Sequence, residues 1–233
     1  KRLADEIRKG RVGCLFNGIG VAGGRRAQEM AVKNSRLGIP LLLAGDVIHG
    51  LKTIFPVPLG EASCFDPMLV EKTARVMAVE ATAAGLHLTF APMVDVARDQ
   101  RWGRVVEGAG EDVYLTGLLS AARIRGFQGR DLRRDDSLLA CPKHFAAYGA
   151  VAAGLEYGSV DISDETLRET HLPPFGKAFA AGALTTMAAF NEINGVPATA
   201  DRELLTDILR GEMQFRGFVF SDYTADEELV AHG

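Results

Sequence analysis

The sequence predicts an α/β fold with a parallel sheet, specifically most of a (β/α)8 TIM-like barrel that is incomplete at both ends. Three observations predict it. Six short, near-continuous apolar runs alternate with longer segments of helical period, the pattern of doubly buried strands joined by crossover helices. The helical segments carry their own start and stop signals. A polar residue also stands just past the C-terminal end of five runs: Asp46, Asp95, the pair Lys143-His144, Asn191 and Asp222. In a barrel those ends converge on one mouth, where such folds carry their chemistry. An open doubly wound sheet shares the alternation, and the polar strand ends are what favour the barrel.

The strands are expected at residues 12–16, 39–44, 86–91, 138–141, 184–189 and 218–220. Between the second and third, Asp66-Pro67 gives an N-cap followed by proline at the first helical position. Leu69, Val70, Thr73, Val76, Met77 and Ala81 then form the expected buried stripe, and Gly85 ends the helix. Ser163 caps a later helix, with Asp164 and Glu165 in its first turn, where negative charge is favourable. Asp201 caps a third, with Leu204, Leu205, Ile208 and Leu209 facing inward. Pro and Gly mark single turns and form no linker, so residues 1–233 read as one domain. The first residue is Lys1 and the last segment has helical character, which reads as part of a longer chain.

Composition narrows the class. The 233 residues are 47% hydrophobic and 24% charged, enough for a core and unlike a disordered tract. The formal net charge is -4, and the densest basic stretch, Arg130 to Asp136, neutralises itself. That disfavours a nucleic-acid partner. No apolar run approaches the roughly 20 residues needed to span a bilayer. Cys14, Cys64 and Cys141 are far apart, odd in number and without metal-binding spacing, so buried free thiols are expected. Asp46 and His49 lack a nearby third ligand, and no phosphate loop or nucleophile elbow is present. No metal and no cofactor are expected.

Three segments could carry chemistry. Asp222 ends the run Gly217 to Phe220, where a carboxylate can serve as nucleophile, base or ligand, or can simply cap the next helix. Lys143 and His144 follow a buried run and together offer several N–H donors suited to sugar hydroxyls or a phosphate. A core histidine and a surface lysine are the plainer alternatives. The stretch from Asp95 to Asp112 gathers three arginines, five acids, three glycines and the single tryptophan, Trp102. Arginines buried there would need the carboxylates of Glu107, Glu111 or Asp112.

Five blocks, in this order, resemble family 3 glycoside hydrolases, the bacterial β-glucosidases above all. They are Gly45 to Gly50, Arg98 to Asp112, Lys143-His144-Phe145, Phe190 to Pro197, and Ser221-Asp222-Tyr223. Gln100 and Val113 depart from the family pattern, where proline is usual. The resemblance implies a retaining β-glycosidase acting on β-glucosides or cello-oligosaccharides, with Asp222 as its nucleophile. It implies that Asp46, Arg104, Lys143 and His144 hold the sugar hydroxyls, that Phe190 is a wall residue, and that Glu107 lies close to Arg104; nearness in sequence makes Glu107 and Asp112 the candidate carboxylate supports of Arg104. It further implies a small carbohydrate as partner, a periplasmic or secreted location, a homodimer in the full-length protein, and an acid/base residue on a sandwich-like domain outside this chain. A β-xylosidase of the same family is the alternative, and a non-catalytic sugar-binding remnant is a second. The N-acetylglucosaminidase branch carries a histidine on the loop after Lys143-His144. Residues 146–161 contain none, which argues against that branch.

Overall fold

The computed structural model describes residues 2–18 and 20–232. Six parallel strands follow one another around the fold. β1 (Cys14–Phe16) pairs with β2 (Leu42–Gly45), β2 with β3 (Leu88–Thr89), and β3 with β4 (Leu139–Ala140). The segment after β4 continues onto β5 (Thr185–Met187) through a parallel bridge, Phe145 to Ala188. The Thr185 and Thr186 hydroxyls strengthen that junction by donating to the Ala140 and Pro142 carbonyls, both at 2.8 Å. A small antiparallel hairpin, β6 (Glu192–Ile193) and β7 (Val196–Pro197), lies outside this series. β8 (Phe218–Phe220) then pairs with β5.

Strand order therefore follows chain order without the reversal of a doubly wound sheet. The strands also curve round on themselves. Phe90, just past β3, meets Phe16 of β1 at 5.7 Å and Phe220 of β8 at 5.3 Å between ring centroids. A flat sheet would hold its first and last strands several strand widths of about 4.8 Å apart. Instead Cys14, Ala44, Leu88, Leu139, Cys141, Met187 and Phe220 share one inner cluster with Phe90. Gly217 lets β8 approach β5, since a Cβ there would stand 2.1 Å from the Leu184 carbonyl oxygen.

The caps form as the sequence indicates. Asp66 accepts from the Met68 and Leu69 amides at the start of Pro67–Ala83, Ser163 from Thr166, and Asp201 from Leu204. The last of these opens into a π-helical segment, Glu203–Glu212, with Leu204, Ile208 and Leu209 buried. Three expectations need correction. Five of the six strands are shorter than the apolar runs, β8 alone keeping its expected bounds, because residues such as Ile39 and Pro40 lead into β2 without pairing and stay exposed. In Pro67–Ala83 the buried stripe is Val70, Ala74, Met77, Ala78 and Ala81. Leu69 and Val76 face outward, because small alanines let the neighbouring helix Val113–Gln128 lie close on the other side. Of the thiols only Cys141 is buried, and Cys64 is exposed. No helix among the described residues is long and apolar enough to cross a membrane.

Candidate active site

Polar side chains from successive strand ends meet at one mouth. A cavity of about 300 Å3 is lined by Asp46, Arg104, Lys143, His144, Ser221, Asp222 and Tyr223, with Phe16, Phe90 and Met187 as its apolar wall. Asp46 follows β2, Lys143 and His144 follow β4, and Asp222 follows β8, so each inherits its place from the sheet. Arg104 comes from the long segment after β3.

The pairings are specific. The Lys143 ammonium donates to Asp46 Oδ1 at 2.8 Å, although 97 residues separate them. Arg104 grips Glu107 with two parallel bonds, from Nε at 2.8 Å and from an Nη at 3.0 Å. Its other Nη lies 3.7 Å from Glu156. His144 is fully buried, and its Nδ1 stands 2.9 Å from Asp95 Oδ2. Its Nε2 faces Asp222 Oδ2 at 3.5 Å. Asp222 Oδ1 accepts the Tyr223 backbone N–H at 2.7 Å, whereas Oδ2 has no hydrogen-bond partner. One carboxylate oxygen is thus pinned and the other left free.

Burial dominates the electrostatics. It pushes the Asp222 carboxyl up to about 6 against the opposing pull of the Tyr223 amide, Lys143 and Arg104. Asp95 is pushed up to about 7, again by burial, and burial holds His144 well below its usual value. For Glu107, desolvation is outweighed by Arg104, which keeps the carboxyl lowered. If ionised Asp222 is the reacting species, the acid limb of kcat/KM falls near pH 6, with activity lost as pH drops through it. Lys143→Met removes an attraction that favours the charged form, so the limb should move to higher pH. A pH–rate profile that leaves the limb in place in this variant would contradict the assignment.

Of the residues expected here, Asp222, Asp46, Arg104, Lys143 and His144 line the cavity and Glu107 supports Arg104. Two do not fit. Asp112 is exposed and caps Val113–Gln128 by accepting from the Leu115 amide at 2.7 Å, which occupies it as a helix cap and not as an arginine partner. Phe190 is half-buried and packs on Tyr148 and, at 4.7 Å between ring centroids, on Tyr157, without lining the cavity itself. Nor do the other two arginines of that segment turn inward: Arg98 is exposed, and Arg101 pairs with Asp99 in solvent.

Sequence reasoning missed the wall, Phe16, Phe90 and Met187, which reads locally as strand core. It also missed Glu156, which binds Trp102 Nε1 at 2.5 Å and the Tyr148 hydroxyl and so fixes the rim near Arg104. Only the pairing of Glu156 with a lone tryptophan 54 residues away could have exposed it.

The family profile of the glycosyl hydrolase family 3 N-terminal domain matches residues 1–233. The chain belongs to glycosyl hydrolase family 3. A periplasmic beta-glucosidase of Salmonella typhimurium is 45% identical over 231 residues, covering 99% of this chain and 30% of that protein. A beta-xylosidase of Formosa agariphila is 40% identical over 205 residues, covering 82% of this chain and 28% of its own length. Among solved structures, a beta-glucosidase from Listeria innocua in complex with isofagomine superposes with a TM-score of 0.92 at 45% identity, covering 96% of this chain and 32% of that one. The architecture is thereby the TIM-like barrel of this family. The chain spans about a third of the length of these relatives.

Proposed function

We propose that the protein is a retaining β-glycosidase that releases terminal non-reducing β-D-glucose through a covalent bond to Asp222. The observation that carries this reading is the free, buried Oδ2 of Asp222 at the floor of a cavity ringed by Asp46, Arg104, Lys143 and His144. The donors and the Asp46 acceptor suit a polyhydroxylated ring, and Phe16, Phe90 and Met187 suit its C–H face. The volume lies at the low end of small-molecule sites, about 300–1,000 Å3. In this scheme Asp222 Oδ2 attacks the anomeric carbon as the glycosidic C–O bond breaks, and the departing oxygen takes a proton from a carboxylic acid. Water then attacks the same carbon, gives a proton to that now-ionised group, and releases the Asp222 carboxylate. The other acids around this mouth are already engaged: Asp46 with Lys143, Glu107 with Arg104, Asp95 with His144, and Glu156 with Trp102 and Tyr148. The family resemblance implies a proton donor on a separate domain, and we adopt that assignment here.

Glucose over xylose is favoured by the higher identity to the beta-glucosidase, while the Formosa beta-xylosidase supports the second specificity. The name of the Salmonella relative supports a periplasmic location. Hydrolysis of a panel of aryl β-glycosides by the whole protein separates these readings. Treatment with an activated 2-deoxy-2-fluoro-glucoside, followed by mass spectrometry, should place the label on Asp222. A label elsewhere sinks the scheme.

The ring of donors gives a further expectation. Lys143→Ala and His144→Ala should each lower kcat/KM, on the order of 10- to 1,000-fold, as donors that act on developing charge are removed. Unchanged turnover in both would make them structural residues.

A further inference from the structure

Asp95 lies outside the cavity lining, yet it is the only hydrogen-bond partner recorded for the His144 ring among the described residues. The two elements are locked in register. Met93 and Lys143 form a parallel bridge, and the Val94 amide donates to the Lys143 carbonyl at 2.7 Å. Gly149 packs onto Val96 so tightly that a Cβ would lie 2.3 Å from its carbonyl oxygen. Asp95 Oδ2 accepts the His144 backbone N–H at 2.9 Å and stands 2.9 Å from Nδ1 of the same residue. Tyr148 closes the other side edge-on, 5.1 Å between ring centroids. The imidazole is 1% exposed, so it cannot turn over without breaking this set.

Nε2 then faces Asp222 Oδ2, which has no hydrogen-bond partner. A bare Nε2 lone pair aimed at a buried carboxylate oxygen would be repulsive. A hydrogen on Nε2 turns the same contact into an attraction and gives the site a donor. That hydrogen requires the Asp95–His144 pair to hold one more proton than ionised Asp95 beside a neutral imidazole. The proton can rest on Asp95 or on Nδ1, since either arrangement leaves Nε2–H in place.

We propose that Asp95 is a positioning residue for the glycosyl-transfer centre: it locks His144 with Nδ1 inward and keeps Nε2 protonated toward Asp222 and the sugar. The inference rests on the proposed glycosidase reading. Burial pushes Asp95 up to about 7 and His144 down, both in the sense of a neutral pair. The charged neighbours around the pair are Lys143 and Arg104 on the positive side and Asp222, Asp46 and Glu107 on the negative, with His171 near Asp95. An asparagine at position 95 tests the idea at constant shape. Its amide oxygen must sit at the Oδ2 position to accept the His144 backbone N–H, and it cannot be protonated there. Nδ1 must then carry the hydrogen and Nε2 is left bare. The wrong tautomer is known to be costly in the analogous Asp-to-Asn change of serine proteases.

The whole protein, its Asp95→Asn and His144→Ala variants and the double variant are compared in the rate of Asp222 labelling by the activated fluoroglucoside, with Asp222→Ala as control. Asp95→Asn should label at least tenfold more slowly with a thermal midpoint close to the parent's, and should have no further effect once His144 is alanine. A parental labelling rate, or effects that multiply in the double variant, would overturn the assignment. Should Asp95→Asn fail to fold, nitrogen-15 spectra of the imidazole in the parent decide: Nε2 protonated at neutral pH is expected, and a bare Nε2 refutes the proposal. If Asp222→Ala itself still takes the label, the glycosidase scheme is what fails. If Asp222→Ala is inert while Asp95→Asn behaves as the parent, only the role of Asp95 falls.

Discussion

Asp222→Ala is expected to reduce turnover of an aryl β-glucoside by several orders of magnitude while the barrel stays folded. The side chain caps nothing essential: its single hydrogen bond is to the neighbouring Tyr223 amide. The isosteric Asp222→Asn makes a sharper companion test. Burial raises the Asp222 carboxyl from 3.8 in the reference state to about 6 in the fold. A raised carboxyl contributes its stability below the unfolded value, and the contribution is lost as pH rises through about 6. At neutral pH the ionised side chain therefore costs the fold roughly 3 kcal/mol by that shift. Asp222→Asn should be inactive yet more heat-stable than the parent at pH 7.5, with the gain vanishing near pH 4. Activity near the parental level would remove Asp222 from the mechanism, and a stability difference independent of pH would show that its ionisation is not strained.

The second large effect is structural. Arg123 and Glu61 are both buried and paired through Arg123 Nη2. Arg123 also donates from Nη1 to the Ile48 carbonyl at 2.8 Å. Breaking one side of such a pair leaves an uncompensated charge in the interior, about 3–5 kcal/mol. Arg123→Met should lower the unfolding midpoint by several degrees or more and loosen the turn that carries Asp46 two residues before Ile48. Thermal unfolding together with kcat/KM checks this. A variant as stable as its parent would mean that the pair contributes no net energy.

The fold was legible because its signals are local. Cap residues such as Asp66, Ser163 and Asp201 act within three residues of themselves, and all three hold in the structure. The polar strand ends were legible because sheet geometry sends every such end to one side. What was not legible depends on contacts between distant segments. Whether Phe16 and Phe90 are core or cavity wall is decided by how far the sheet curls, which no apolar run records. The Glu61–Arg123 pair spans 62 residues, and nothing near either residue announces it. Asp112 is the instructive error. Its arginine-rich company suggests an arginine partner, although its place ahead of Val113, Tyr114 and Leu115 is that of a helix cap. Strand bounds failed for a related reason: hydrophobicity reports burial, and residues flanking a strand can be as apolar as those in its ladder.

The cross-bracing of the mouth has an entropic corollary. Lysine and arginine side chains carry about 2 kcal/mol of rotamer freedom each, and a ligand that had to still them would bind more weakly by that amount. Here Lys143 is already held by Asp46 and Arg104 by Glu107 before any ligand arrives. Their ordering belongs to folding, so it does not recur each time the cavity fills and empties. The donors that these carboxylates leave unused stay aimed at fixed points in space, and a ligand entering the cavity meets a surface that has no need to rearrange around it.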